Sequence, residues 1–315
     1  MTRVAAIDIG SNSILLTIAE PGEKKAIPLK ILFDEARVTG LSKGLAGGDL
    51  ITESAQARAI ETLKFYREKL DQLKPDLFRV VGTEAFRRAK NGEEVRKRLS
   101  NVLRQEIELI SGDQEAELSF WSVQKEHSDI KSPKLVFDIG GASSELCLGN
   151  DLGIQERVSL KVGSVTLTEK FGLQNAANGE EADQYVKSLL DQVPWTKTAK
   201  STIGIGVAGT FTSLLAIHLK LDSYSRDRVH GFSLSVQDIL KYRDQMLRMT
   251  LNERKQVLGL QADRADVFGG GLVIAYAICR HFGWKQAICM DAGIRFGVLY
   301  ELLSTKMGAT NVGPY

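Results

Sequence analysis

The strongest constraint on what this chain can fold into is that it carries one loop twice. Residues 6–16, Ala6-Ile7-Asp8-Ile9-Gly10-Ser11-Asn12-Ser13-Ile14-Leu15-Leu16, are an apolar run ending in Asp, a small-residue turn and a second apolar run. Residues 136–148 repeat that plan through Asp138, Gly140, Gly141, Ala142, Ser143 and Glu145. Each copy reads as strand, tight turn, strand. One such turn is ordinary hairpin chemistry. Two of them, each after a buried Asp-bearing strand, point to a duplication, and 315 residues suffice for two domains.

The turn chemistry favours anions. Gly10, Gly140 and Gly141 let the backbone approach a ligand closely. Successive N–H groups can form an anion-binding nest, to which Ser11, Asn12, Ser13, Ala142 and Ser143 contribute backbone or side-chain donors. Asp8, at the end of its strand, is placed to hold Mg²⁺ directly or through water. A third small-residue turn, residues 205–213, follows a strand over Thr202–Val207 and opens a helix through Leu214, Leu215, Ile217 and Leu219. Gly209 and Thr210 there form a further candidate phosphate site at a helix N-terminus.

Composition narrows the function. The 43% hydrophobic and 25% charged content is that of a globular protein, and a net charge of +2 is no polycation, so no nucleic-acid partner is expected. A polyanionic substrate has to meet a local patch. The run Arg87, Arg88, Lys90, Arg96, Lys97, Arg98 is one candidate, with a solvated helix face as the alternative. Cys147, Cys279 and Cys289 lie among apolar neighbours without Cys-x-x-Cys spacing, and the four histidines are scattered, which argues for reduced core thiols over zinc. His230 reads as structural. The sequence opens directly into the strand-like run 3–7 and holds no apolar stretch of about 20 residues. No membrane partner and a cytoplasmic location are expected.

Between the loops the pattern alternates. Helices are expected over 49–73 with Thr52 as N-cap, 93–103, 165–171, 181–193, 236–249, 251–258, 265–282 and 295–305. Strands are expected over 78–82, 107–110, 155–162 and 286–290, in mostly parallel sheets packed with helices. The last helix is expected to return to the first domain. The division expected is 1–118 plus 300–315 as domain I and 119–299 as domain II.

The motifs in chain order resemble the exopolyphosphatase and guanosine pentaphosphate phosphohydrolase (Ppx/GppA) family. The residues that carry the resemblance are Ile7–Ser13, Val81-Gly82-Thr83-Glu84-Ala85-Phe86-Arg87, Ile110-Ser111-Gly112-Asp113-Gln114-Glu115-Ala116, Asp138–Glu145, Arg264-Ala265-Asp266 and Asp291–Gly297. The resemblance implies an α/β protein of two actin-like, ribonuclease-H-like ATPase-type domains with the active site in the interdomain cleft. It implies that Glu115 is the base that activates water, that Arg87 contacts phosphate, and that Asp138 and Glu145 organise Mg²⁺. It also implies a homodimer.

The function expected from it is release of orthophosphate from the ends of inorganic polyphosphate. The alternatives are a guanosine pentaphosphate (pppGpp) 5′-phosphohydrolase and a poorly catalytic guanosine polyphosphate-binding regulator. Two residues depart from the family pattern: Gln114 stands where a second glutamate is usual, and Ala142 where glycine is usual. Long family members carry an additional C-terminal helical domain. Its absence before Tyr315 leads to the expectation of lower processivity, or a preference for short chains or nucleotides.

Overall fold

The computed structural model describes residues 2–306 apart from 25–26, 46–47, 128–129, 131, 198 and 200–201. The chain forms two compact units, residues 1–129 with 292–315, and residues 130–291.

In the first unit β1 (Val4–Ile9), β2 (Ser13–Lys24) and β3 (Ile27–Val38) form an antiparallel meander. It is followed by α1 (Glu53–Leu73), β4 (Leu77–Gly82), α2 (Glu84–Arg88), α3 (Gly92–Leu103), β5 (Glu108–Leu109) and α4 (Gly112–Glu126). The sheet order is β3-β2-β1-β4-β5, with β4 parallel to both β1 and β5. Thr52 caps α1 through its side chain, as the sequence predicts. Alternation along β1 feeds two cores. Ala5, Ile7 and Ile9 pack with Ala55, Leu63 and Leu99 of α1 and α3, whereas Val4 and Ala6 join Leu118 of α4.

The second unit repeats the plan with β6 (Lys134–Ile139), β7 (Ser144–Asn150) and β8 (Gly153–Leu160). Then come α5 (Ser164–Phe171), α6 (Glu180–Asp191), β9 (Ile203–Val207), α7 (Ala208–His218), α8 (Arg226–Val229), β10 (Phe232–Ser235), α9 (Val236–Arg248), α10 (Leu251–Arg254), α11 (Ala265–Phe282) and β11 (Gln286–Cys289). The order is β10-β11-β9-β6-β7-β8. From the meander edge inward, β8-β7-β6-β9-β11 has the same sequence of antiparallel and parallel joints as β3-β2-β1-β4-β5. This is the duplicated actin-like plan. The sheets are mixed rather than mostly parallel, because each unit opens with a three-stranded meander instead of a crossover.

The division between units differs from 118/119 and 299/300: it falls at 129/130 and 291/292. The reason is the pairing of α4 with α12 (Ile294–Lys306). Leu118 shares a core with Phe296, Leu299 and Leu303. The helices approach so closely that a Cβ on Gly297 would lie 2.4 Å from the Leu118 carbonyl oxygen. Both helices therefore belong to the first unit. Residues 307–315 of the segment assigned to domain I lie outside the described residues.

Other elements differ from expectation in extent. The helix expected over 251–258 stops at Arg254, whose fully buried guanidinium donates to the carbonyls of Met246, Leu173 and Asn175. Strand β5 keeps two of the four residues expected. No described helix is long and apolar enough to cross a membrane.

The three cysteines are buried, as expected of core residues. Burial pushes the Cys279 thiol up to about 12 and raises that of Cys289 well above its ordinary value. A thiolate is the reacting species. Titration of the native protein with a thiol reagent at pH 8 is expected to show almost no modification until denaturant is added. Rapid reaction of one or more thiols in the folded protein would contradict this burial.

Candidate active site

In each unit the residues singled out by sequence sit at the carboxyl ends of the parallel strands, where ligands bind in open α/β sheets. In the first unit these ends are Ile9, Gly82 and Leu109. The Gly10–Ser13 turn follows the first, Thr83–Arg87 the second and the start of α4 the third. Segments more than a hundred residues apart in sequence thus reach one edge of one sheet. Asp8 has the parity of Val4 and Ala6, which places it on the sheet face that α4 covers.

Arg87 and Glu115 are brought together directly. Arg87 Nη2 donates to Glu115 Oε1 at 2.8 Å and to Glu84 Oε2 at 2.6 Å, and Nε donates to Glu84 Oε2 at 2.9 Å. Nη1 donates to the Ile110 carbonyl. Guanidinium has five N–H groups, and four are engaged, so Arg87 is fixed on three sides. Burial alone would lower its pKa, but the charges of Glu115 and Glu84 raise it. Glu115 is 4% exposed, in the first turn of α4, where the helix dipole favours a carboxylate. Glu84, which the sequence argument did not single out, is buried and opens α2.

Gln114 explains its own departure from the family pattern. It is the third residue of α4, and its side chain accepts from Ser111 N at 2.8 Å while Ser111 Oγ accepts from Gln114 N at 3.2 Å. This is a complete capping box, which an amide oxygen closes as well as a carboxylate does. Gln114→Ala is expected to lower stability by about 1 kcal/mol with kcat/KM little changed. Chemical denaturation beside steady-state kinetics checks both; a large fall in kcat/KM would give Gln114 a part in the chemistry.

The two hairpin turns match in detail. Gly10 N donates to Ser13 O at 3.0 Å, and Gly140 N donates to Ser143 O at 3.0 Å. Ile9 pairs with Ile14 and Asp8 with Leu15; Ile139 pairs with Ser144 and Asp138 with Glu145. The copies differ in the second strand at both rungs: Ser144 stands where the first unit has Ile14, and the second unit places Glu145 opposite Asp138, where the first has Leu15. Cross-strand partners lie on one sheet face. Both carboxylates are buried, and Ser159 Oγ, on the next strand, donates to Glu145 Oε1 at 2.7 Å.

Ala142 is buried with no left-handed backbone, so its position does not require glycine. The third turn is tighter than its sequence suggests. Helix α7 begins at Ala208, whose φ of 63° is unusual for a residue with a Cβ, so Gly209 and Thr210 fall within the first helical turn. A Cβ on Gly209 would lie 1.8 Å from Arg264 Nη1, so the glycine admits a guanidinium. The Thr210 side chain is buried against Gly271 of α11.

Of the basic run, Arg87 turns inward onto Glu84 and Glu115, and Lys90, Arg96, Lys97 and Arg98 are ion-paired. Lys90 pairs with Asp49, Arg96 and Lys97 with Glu93, and Arg98 with Glu53.

A second ring of residues was not visible from sequence. Ser42 donates from both N (2.9 Å) and Oγ (3.1 Å) to the Ser11 carbonyl, and Thr39 N and Gly40 N donate to the Asn12 carbonyl. Ser164 donates from N (2.9 Å) and Oγ (3.1 Å) to the Gly140 carbonyl. A Cβ on Gly163 would lie 2.4 Å from Gly141 C, so residue 163 is packed directly on the second loop.

Paired small-residue turns at matching strand ends, with a buried glutamate held on an arginine beside one of them, define a phosphate-handling protein of the actin-like fold. Residues 17–306 match the family model described as the Ppx/GppA phosphatase family, and the chain belongs to that family. It is 32% identical over 314 residues to a bifunctional 3-dehydroquinate synthase/phosphatase of Fusobacterium nucleatum, covering 96% of this chain but 47% of that relative, about half its length. It is 30% identical to exopolyphosphatase 2 of Mycobacterium tuberculosis, covering 91% of this chain and 93% of that one. The crystal structure of the Aquifex aeolicus Ppx/GppA family member superposes with a TM-score of 0.78 at 31% identity, covering 97% of this chain and 98% of that one.

Proposed function

We propose that this chain is a Mg²⁺-dependent exopolyphosphatase that releases orthophosphate from the ends of inorganic polyphosphate. The observation that carries the reading is the buried Glu115 held 2.8 Å from Arg87 at the strand-end edge that also bears the first glycine-serine turn. Hydrolysis of a phosphoanhydride asks little covalent chemistry of a protein; it needs an oriented water and positive charge around the terminal phosphoryl group. Glu115 takes a proton from the attacking water as its oxygen bonds to the terminal phosphorus. The phosphoanhydride P–O bond breaks, and the shortened chain leaves. Arg87, held rigid by Glu84 and the Ile110 carbonyl, donates to the phosphoryl oxygens. The Gly10–Ser13 and Gly140–Ser143 turns, with the N-terminal turn of α7 at Gly209 and Thr210, bind phosphate through backbone N–H groups.

Asp138 and Glu145 share one rung, and their hard oxygens suit Mg²⁺. That ion is characteristically held by one or two carboxylates plus substrate phosphate rather than by an all-protein cage. Among the described residues no three His, Cys, Asp or Glu side chains form such a cage. Asp138 and Glu145 would hold the ion, with Asp8 as the matching carboxylate of the first unit, and it would offset the negative charge of the phosphate chain. The enzyme acts in the cytoplasm as a homodimer on this reading, which cell fractionation and sedimentation test.

The deciding experiment is phosphate release from long polyphosphate, short polyphosphate and guanosine pentaphosphate, with and without Mg²⁺, with Glu115→Gln as control. Mg²⁺-dependent release from polyphosphate, abolished in the variant, supports the proposal. Release from the nucleotide alone would replace it with an alarmone phosphatase. Tight nucleotide binding without turnover would replace it with a regulator.

A further inference from the structure

The two serines behind the glycine-serine turns are arranged alike. Ser42 and Ser164 are both buried, and each directs its backbone N–H and its hydroxyl at a single carbonyl oxygen of the adjacent turn. Their targets are Ser11 O and Gly140 O, one position apart in the aligned turns because Gly10 matches Gly140, with the same two distances, 2.9 Å and 3.1 Å, in both units. The two serines come from matching places in the duplicated plan, each shortly after the third strand of its meander, β3 ending at Val38 and β8 at Leu160. Ser42 lies between β3 and α1, and Ser164 is the first residue of α5.

A trans peptide unit is planar, so its C=O and N–H point in opposite directions, and the chain has no cis peptide bonds among the described residues. Fixing Ser11 O therefore fixes the N–H of Asn12, and fixing Gly140 O fixes that of Gly141. Each N–H is turned away from the serine. A neighbouring carbonyl in each turn is held in the same way. Asn12 O accepts from Thr39 N and Gly40 N, and Gly141 O accepts from Val165 N at 2.9 Å and Thr166 N at 3.2 Å. An anion nest works only if successive N–H groups converge, which requires their carbonyls to be drawn off to the other side and hydrogen-bonded there.

We infer that Ser42 and Ser164 are positioning residues that orient the two turns for phosphate, each by a double hydrogen bond to one loop carbonyl. Neither touches substrate. The inference rests on the phosphate-binding role of the turns proposed above. Because that binding is shared by ground state and transition state, loss of either hydroxyl raises KM more than it lowers kcat.

The test is steady-state kinetics on short polyphosphate for Ser42→Ala, Ser164→Ala, the double variant, Ser164→Thr and the turn variant Asn12→Ala, with a melting curve for each. Tripolyphosphate binding is measured with the same substitutions in the Glu115→Gln background. Each serine-to-alanine change is expected to raise KM and Kd roughly 3- to 10-fold, the range expected for one hydrogen bond. The double variant multiplies the two effects, and threonine, which keeps the hydroxyl, restores most of the loss at 164. If Asn12→Ala raises KM and Kd while the serine variants leave both unchanged, the serines do not position the turns and the inference fails alone. If kcat and melting temperature fall together with KM unmoved and no rescue by threonine, the serines are merely structural and the inference fails. If none of the variants, Asn12→Ala included, alters KM or Kd, the phosphate-binding reading of the turns falls with it.

Discussion

Glu115→Gln is expected to lower kcat for phosphate release by about 10²- to 10⁴-fold, the usual contribution of a general base, while substrate binding and folding survive. The structure makes this separation of effects specific. The α4 cap is closed by Ser111 and Gln114, so the helix start does not depend on Glu115. Arg87 keeps Glu84 as counter-ion and the Ile110 carbonyl as acceptor, so removing the Glu115 charge leaves no isolated buried cation. Glutamine also preserves an oxygen for Arg87 Nη2. What disappears is the proton acceptor. Single-turnover phosphate release and a binding titration on the same variant check both halves. A kcat within threefold of the parent would remove Glu115 from the mechanism, whatever became of binding.

Gly163→Ala is expected to give the largest loss of activity from a residue outside the reacting groups. The backbone at Gly163, with φ of −138°, suits alanine, so no conformational strain enters. The added methyl would instead lie 2.4 Å from Gly141 C, 2.5 Å from Ala142 N and 2.6 Å from Gly141 O. These are backbone atoms and cannot swing aside as the end of a side chain does, so the second turn must shift as a unit. A displacement near 1 Å at a positioned site costs about 10²-fold in rate, and overpacking of this kind destabilises by about 1–3 kcal/mol. We expect kcat/KM to fall about 10²-fold with a cooperative, modestly lowered melting transition. An unchanged kcat/KM in a folded Gly163→Ala protein would show that the second turn takes no part in catalysis.

The features read correctly from sequence were those encoded within a few residues. The hairpins read over 6–16 and 136–148, the helix expected over 49–73, which begins at Glu53 after its Thr52 cap, and α11 at 265–282 follow from periodicity and local capping. Strand β3 was missed because it is an edge strand whose residues 27–38 mix Lys, Asp, Glu and Arg with the apolar positions. Helix α2 is five residues long, too short to show a helical period, and it carries Glu84 and Arg87. The domain boundary was misplaced because the partner that retains α4 in the first unit, α12, is more than 160 residues away.

The sequence by itself determined the duplicated turns, the identities of the candidate acids, bases and donors, and the family to which the chain belongs. Turn conformation and side-chain chemistry are short-range properties, set by neighbours that the chain order already places in contact. Only the tertiary structure decided that Arg87 rests on Glu115 and Glu84 together, that Glu145 faces Asp138 across a rung where the first copy has Leu15, and that Ser42, Gly163 and Ser164 hold the turns from behind. Those relations join residues from separate elements. Burial and hydrogen-bond satisfaction enforce them only once both sheets have folded, and no local pattern encodes which serine will meet which carbonyl.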